Sequence, residues 1–415
     1  MQEWLKDVPG AVARAKRELR QKIPDLAERY RAVTDRVERE VAQVVEEARR
    51  GEVIPELPFS QVAGGQFPAA LAARIRRRGC AIVRGVFPRA QIEAWNGEIG
   101  EYIERNHYVE KSRQKVGLDN YFGTLAAASP QIFGLYWSRP QVLARQSEGL
   151  ATVRAALNRL WRVDRPAGPA FDPARECTYG DRLRRRQPGD TTLGLSAHVD
   201  GASVERWCDP SYHRVYHDVF FGAPGTYDSH DGRHRVSTNE ISSAAVTSVF
   251  RTYQGWTAMS RQGAGDGTLQ LIPIASLMEW MLLRPLQDDV PPDDLCGAKP
   301  GHALPFDPRW HGAAAPGLVS IPVVEPGDTV WWHCDMVHAV EKEHRGVSSS
   351  NVIYIAAVPK CEKNAAFLPG QARAFLEGRS VPDFAPEDYE VDFVGRATLD
   401  DLTPLGRRQM GFEPW

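Results

Sequence analysis

The stretch Glu325–Val340 reads EPGDTVWWHCDMVHAV. Pro-Gly-Asp is turn chemistry. The β-branched and aromatic run that follows suits a strand half-buried against a core. His338 comes eleven residues after Gly327. The turn launches a strand, and the strand delivers a histidine to the rim of a β-rich core. Such a histidine invites a search for partners elsewhere in the chain.

The partner stretch is LSAHVDGAS, residues 195–203. Side chains alternate along a strand with period two, so His198 and Asp200 point the same way. They lie 140 residues before His338, room enough for most of a β sandwich. Two imidazoles and one carboxylate grip a divalent iron on one face and leave adjacent coordination positions open, the arrangement used in oxygen activation. A second His-x-Asp, His333-Cys334-Asp335, has only His338 and His344 after it, too close to bring in a distant strand. His333 and His338 are five apart and face opposite ways in a regular strand, so without a bulge only one can be a ligand. His338 is the expected ligand, and His333 a structural neighbour.

The remainder bounds the class. The chain has 415 residues, 42% hydrophobic and 25% charged, with formal net charge -2. That balance argues against a nucleic-acid or membrane-surface binder. Six cysteines without CxxC spacing suit reduced thiols in a cytosol. The N-terminus has no apolar signal core, and no run approaches the ~18 apolar residues of a membrane span. A soluble cytoplasmic protein is expected, monomer or homodimer.

Residues 1–55 read as a helical arm. In 24–50 an apolar stripe steps by three or four from Leu26 through Val33, Val37, Val41 and Val44. It fits packing on the chain's own core or a dimer seam. The RIRRR run, Arg74–Arg78, reads as a solvated helix end. Beyond about residue 175, short β-like runs alternate with Gly, Pro and Asp. The fold class expected is α+β with a mainly β core, a sandwich or barrel, over 56–415. Interruptions at about 201–245 and 276–315 read as lids over a site.

The order of the RGCAIVRGVF strand, HVD, GDGTLQLIP and PGDTVWWHCDMVH resembles the iron(II)/2-oxoglutarate-dependent oxygenases, in their phytanoyl-CoA-hydroxylase-like branch. FRTYQGWTA, LLRPLQDDVP and WWHCDMVHAV resemble more closely the YbiU-like family, whose function is unassigned. The resemblance runs from about residue 66 to the C-terminus. It implies a double-stranded β-helix, or jelly roll, with flanking helices. It also implies Fe(II) held by His198, Asp200 and His338, and 2-oxoglutarate as cosubstrate. The implied activity is oxidation of a small molecule by dioxygen, coupled to decarboxylation of 2-oxoglutarate.

In such enzymes an arginine at the start of the last core strand usually pairs with the far carboxylate of 2-oxoglutarate. Here that region, HRGVSSSNVIYIAAV, offers Ser348, Ser349 and Asn351. Arg251, read as lying within a core strand, is the first choice for that pairing. Arg345 and Arg184 are alternatives. Arg182, Arg184 and Arg186 share one face of DRLRRR, to meet an anionic substrate or acids of the 201–245 insertion. Tyr179, Trp207, Trp256, Tyr253 and Trp331 are pocket or packing aromatics. Two other readings compete. One is a cupin-type metalloenzyme that does not use 2-oxoglutarate, with Glu205 and His213 as extra ligands at unfamiliar spacing. The other is a non-catalytic sensor of the same fold.

Overall fold

A computed structural model describes residues 3–114, 130–191, 196–223, 225–244 and 246–415. The first half of the expected TLGLSAHVD strand, residues 192–195, lies outside them. The chain is mixed α and β, with 14 α-helices among the described residues. Its strands form two large sheets and one small one.

The seven-stranded sheet runs Glu56–Pro58, Cys80–Arg84, Thr329–His333, Tyr253–Ala258, Ser350–Ala357, Leu183–Arg186 and Ile132–Phe133. Its Glu56–Pro58 edge is parallel and its other pairs antiparallel. The five-stranded sheet runs Val319–Ser320, Leu269–Leu271, His338–Val340, His198–Val199 and Leu304–Pro305.

The Pro-Gly-Asp turn does what its residues suggest. Gly327 has φ +98°, and a Cβ there would sit 2.2 Å from the Phe87 carbonyl oxygen. Asp328 accepts from the Gly85 N–H at 2.8 Å and the Glu325 N–H at 2.9 Å, and pairs with Arg84 at 2.7 Å. The turn is thereby welded to the RGVF turn, and Thr329–His333 enters the sheet wholly buried.

Several expected strands are shorter than their apolar runs. Arg251 is not in a strand. The backbone of Phe250 donates to and accepts from the Asn364 side chain, at 2.8 and 2.9 Å. Those bonds replace ladder bonds, and the strand begins only at Tyr253.

The N-terminal helix Leu26–Arg49 packs on its own chain. Val33, Val37, Val41 and Val44 are buried in the main core, and Tyr30 stacks on Trp280. The RIRRR reading needs correction. Arg78 is 1% exposed and pairs with Glu47 at 2.7 Å and Glu40 at 3.4 Å, and Arg77 pairs with Glu40 at 2.9 Å. Arg76 pairs with Asp228 at 2.9 Å. A run that looks solvated ties the arm to the body, because two acids two turns apart on one face of the long helix lie opposite it. Arg78→Ala, which strands Glu47 and Glu40 beside the core, should cost about 3 kcal/mol, read as a lowered urea midpoint.

The helical part of the 276–315 insertion is core rather than lid. Every residue of the Leu277–Leu283 helix is buried. The 201–245 insertion likewise sends Trp207, Tyr212, Tyr216 and Phe220 into the main core.

Candidate metal and substrate site

His198 and His338 are directly opposed across neighbouring antiparallel strands. Their ring centroids are 4.5 Å apart. Asp200 sits one residue beyond the short His198–Val199 strand, before Gly201 at φ +90°. Its Oδ1 is 3.3 Å from His198 Nε2 and 3.9 Å from His338 Nε2. One ligand atom from each of the three lies within 4.8 Å of the others.

Both rings are aimed by backbone carbonyls. His198 Nδ1 lies 2.8 Å from the Ser196 oxygen, and His338 Nδ1 lies 3.0 Å from the Met336 oxygen. In each ring Nδ1–H donates to the carbonyl, which turns Nε2 toward Asp200. Burial and the neighbouring His198 push His338 down to about 4, so it stays neutral. For His198, burial opposes charge most strongly, but the hydrogen bond to Asp200, the charge of that carboxylate and the Ser196 carbonyl together outweigh it and the pKa rises. Burial would raise Asp200, yet His198, His338 and Arg251 together hold it well below the usual carboxylate range. The donor set, two imidazoles and one ionised carboxylate, matches what a facial divalent iron site needs.

The trio lines a cavity between the two large sheets, with an empty volume of about 1310 Å³ including its open mouth. Trp256 and Tyr179 line it as expected, while Trp207, Tyr253 and Trp331 do not. Period two explains the last two: Trp332 faces the cavity, so Trp331 faces away. Tyr354, Asp181, Asp383 and Phe384 also line it, and sequence reasoning passed over their roles. Asp383 and Phe384 lie far along the chain in a segment without β pattern, so nothing local marked them. No residue of 276–315 reaches this cavity, and among the described residues the 201–245 insertion contributes only Ala244.

The arginines sort by what they already hold. Arg251 Nη2 is 3.5 Å from Asp200 Oδ2. Arg186 donates to four backbone carbonyls, those of Gly267, Glu341, Asp190 and Lys342. Arg182 lies over the Phe384 ring, with its guanidinium carbon 4.4 Å from the centroid. Arg184 reaches the cavity with a buried Nε that has no acceptor, and burial lowers its pKa. Arg345 is exposed and lies outside the cavity lining. Arg182, Arg184 and Arg186 thus share a cavity-facing side, and none of the three is ion-paired to an acid of 201–245.

His333-Cys334-Asp335 also brings its ligand atoms close together, but those atoms are engaged. His333 Nδ1 accepts from the Asp335 N–H at 3.0 Å, and Asp335 is paired with Arg206 and Arg235. Glu205 accepts from the Ser203 and Ile241 N–H groups, and His213 meets the Trp207 carbonyl. Neither joins the His198 cluster.

Burial holds both His333 and His338 down to about 4. An unfolded histidine titrates near 6.5. As pH falls from about 6.5 to 4, the unfolded chain takes up protons that these rings refuse, so stability drops across that window. Urea midpoints at pH 7, 5.5 and 4.5 should fall in that order.

The sequence as a whole matches the Gig2-like family pattern over residues 6–412. The chain belongs to the Gig2-like family. Among Gig2-like relatives, the uncharacterized protein YbiU of Escherichia coli (strain K12) is 40% identical over 410 residues, covering 98% of this chain and 97% of that one. A candidate oxidoreductase from Salmonella typhimurium LT2 has a crystal structure that superposes with TM-score 0.91 at 41% identity, covering 98% and 97% of the two chains. GlcNAc Inducible Gene 2 (GIG2, DUF1479) of Candida albicans superposes with TM-score 0.79 at 27% identity, covering 97% and 89%. The YbiU-like resemblance read from the sequence is therefore borne out. No helix among the described residues is long and apolar enough to cross a membrane.

Proposed function

We propose that this Gig2-like protein is an Fe(II)/2-oxoglutarate-dependent dioxygenase built on a jelly-roll core, oxidising a small molecule. The observation that carries the reading is the convergence of His198, Asp200 and His338 at the wall of a large cavity, with both Nε2 atoms turned toward the carboxylate. The oxidoreductase naming of the Salmonella relative agrees with it.

His198, Asp200 and His338 would hold the iron, which when bound with 2-oxoglutarate supplies the oxidising power for dioxygen chemistry. The protein's own residues do the rest. Arg184 lies on the cavity wall with a buried Nε that has no acceptor among the described residues, and is assigned the far carboxylate of 2-oxoglutarate. Arg251, the first choice from sequence, already faces Asp200 and is assigned to holding that carboxylate ionised. Trp256, Trp332 and Tyr354 set aromatic faces into the cavity wall and limit water near the metal. Asp181, Asp383 and Phe384 line it too, beyond the metal trio, and are assigned to the substrate.

The cupin-type alternative loses support because Glu205 and His213 are occupied by backbone groups. The sensor alternative loses support because His198 and Asp200 both face the cavity. The test is succinate formation from 2-oxoglutarate by the aerobic, Fe(II)-loaded protein without added substrate. Slow iron-dependent turnover, absent in His338→Ala, is expected; iron binding with no succinate under any condition would favour the cupin-type reading.

A further inference from the structure

Two segments carry the trio: the turn after His198, which holds Asp200, and the turn Cys334–Val337, which precedes His338. The strand ladder pairs His198 with His338 but ends there, short of Asp200 and of the turn before His338. One buried side chain touches both. Arg206 Nε donates to the Ala202 carbonyl at 2.7 Å, and its Nη2 reaches the Asp200 carbonyl at 3.4 Å. Its Nη1 pairs with Asp335 Oδ1 at 2.9 Å. The Arg206 and Asp335 side chains are each 3% exposed.

Asp335 is held from the other side as well. Arg235 Nη2 lies 2.6 Å from Asp335 Oδ2, and the Tyr216 hydroxyl donates at 3.1 Å. Burial would raise the Asp335 carboxyl, but the two guanidinium groups keep it ionised. Next in the chain comes Met336, whose carbonyl orients the His338 ring. The chain of contacts runs from the Asp200 carbonyl through Arg206 and Asp335 to the residue that aims His338. Arg206 does not line the large cavity; it stands behind Asp200, to whose carbonyl it donates.

We propose that Arg206 is a positioning residue: its three-armed contact with Ala202, Asp200 and Asp335 sets the separation of the two turns and so the geometry of the metal ligands. This rests on the metal reading above. A guanidinium suits the task because its planar fork addresses two carbonyls and a carboxylate at once, which a lysine ammonium cannot reproduce. The 201–245 insertion, which supplies Arg206, Tyr216 and Arg235, then acts as a buttress behind the metal site.

The test is titration of the full-length protein with Co(II), following the visible absorption of the bound ion. Arg206→Lys keeps the charge and loses the fork. It should bind Co(II) ~10- to 100-fold more weakly, the range for losing a group that orients metal ligands. Its absorption bands should differ from wild type. Wild-type affinity and bands in Arg206→Lys, beside an Asp200→Ala that no longer binds, would overturn the positioning role and leave the metal reading intact. The same holds for a lowered unfolding midpoint with unchanged Co(II) affinity. Wild-type binding by Asp200→Ala would instead sink the metal reading itself. Should Arg206→Lys not fold, Asp335→Glu carries the test, since it keeps the charge and lengthens the arm by one methylene. Unchanged bands in that variant would overturn the proposal equally.

Discussion

Asp200→Ala is expected to weaken divalent metal binding by at least about 100-fold. Losing a group that merely orients a ligand costs 10- to 100-fold, and losing the only carboxylate ligand should cost no less than the top of that range. The carboxylate is the sole negative donor between two rings that both turn Nε2 toward it. The substitution also leaves Arg251 facing the site without its partner, adding repulsion toward a cation. Isothermal titration with Mn(II) or Co(II) measures the effect. His333→Asn is the control, because His333 spends its nitrogens on Ser229 and Asp335. Its metal affinity should stay at the wild-type value even if its stability falls.

Arg184→Met should raise the 2-oxoglutarate concentration for half-maximal succinate formation about 10- to 100-fold and leave the iron requirement alone. A charge-assisted hydrogen bond is worth about 1.5–3 kcal/mol, which sets that range. The variant also removes a guanidinium whose buried Nε has no acceptor among the described residues, so its stability should be unchanged or higher. Arg251→Ala should do the reverse and weaken metal binding more than 2-oxoglutarate binding, because its neighbour is Asp200. If Arg251→Ala alone raises the 2-oxoglutarate requirement, the two assignments are to be exchanged.

Much of this site could be read from the chain. His198, Asp200 and His338 were identifiable because period two, a glycine turn and a Pro-Gly-Asp turn are local signals, and their spacing leaves room for a sheet. Their convergence is what the fold adds. Arg251 was misplaced by a local argument. An arginine inside an apolar run looks like a strand residue, but Asn364, over a hundred residues later, takes the backbone bonds of Phe250. The Arg74–Arg78 run misled for the same reason, since Glu40 and Glu47 meet it only in three dimensions. The insertions looked like lids because they break the β pattern. Their apolar residues, such as six of the seven in Leu277–Leu283, point to core instead. Asp383 and Phe384 carried no signal at all, because a cavity wall built from a distant irregular segment has no period.

The most direct measurement is an anaerobic optical titration of the wild-type protein with Fe(II) and then 2-oxoglutarate. A weak visible charge-transfer band should grow in only when both are present. It should saturate at one iron per chain and be absent in Asp200→Ala and His338→Ala. Retention of the full band in those two variants would place the iron elsewhere and contradict the account at its centre.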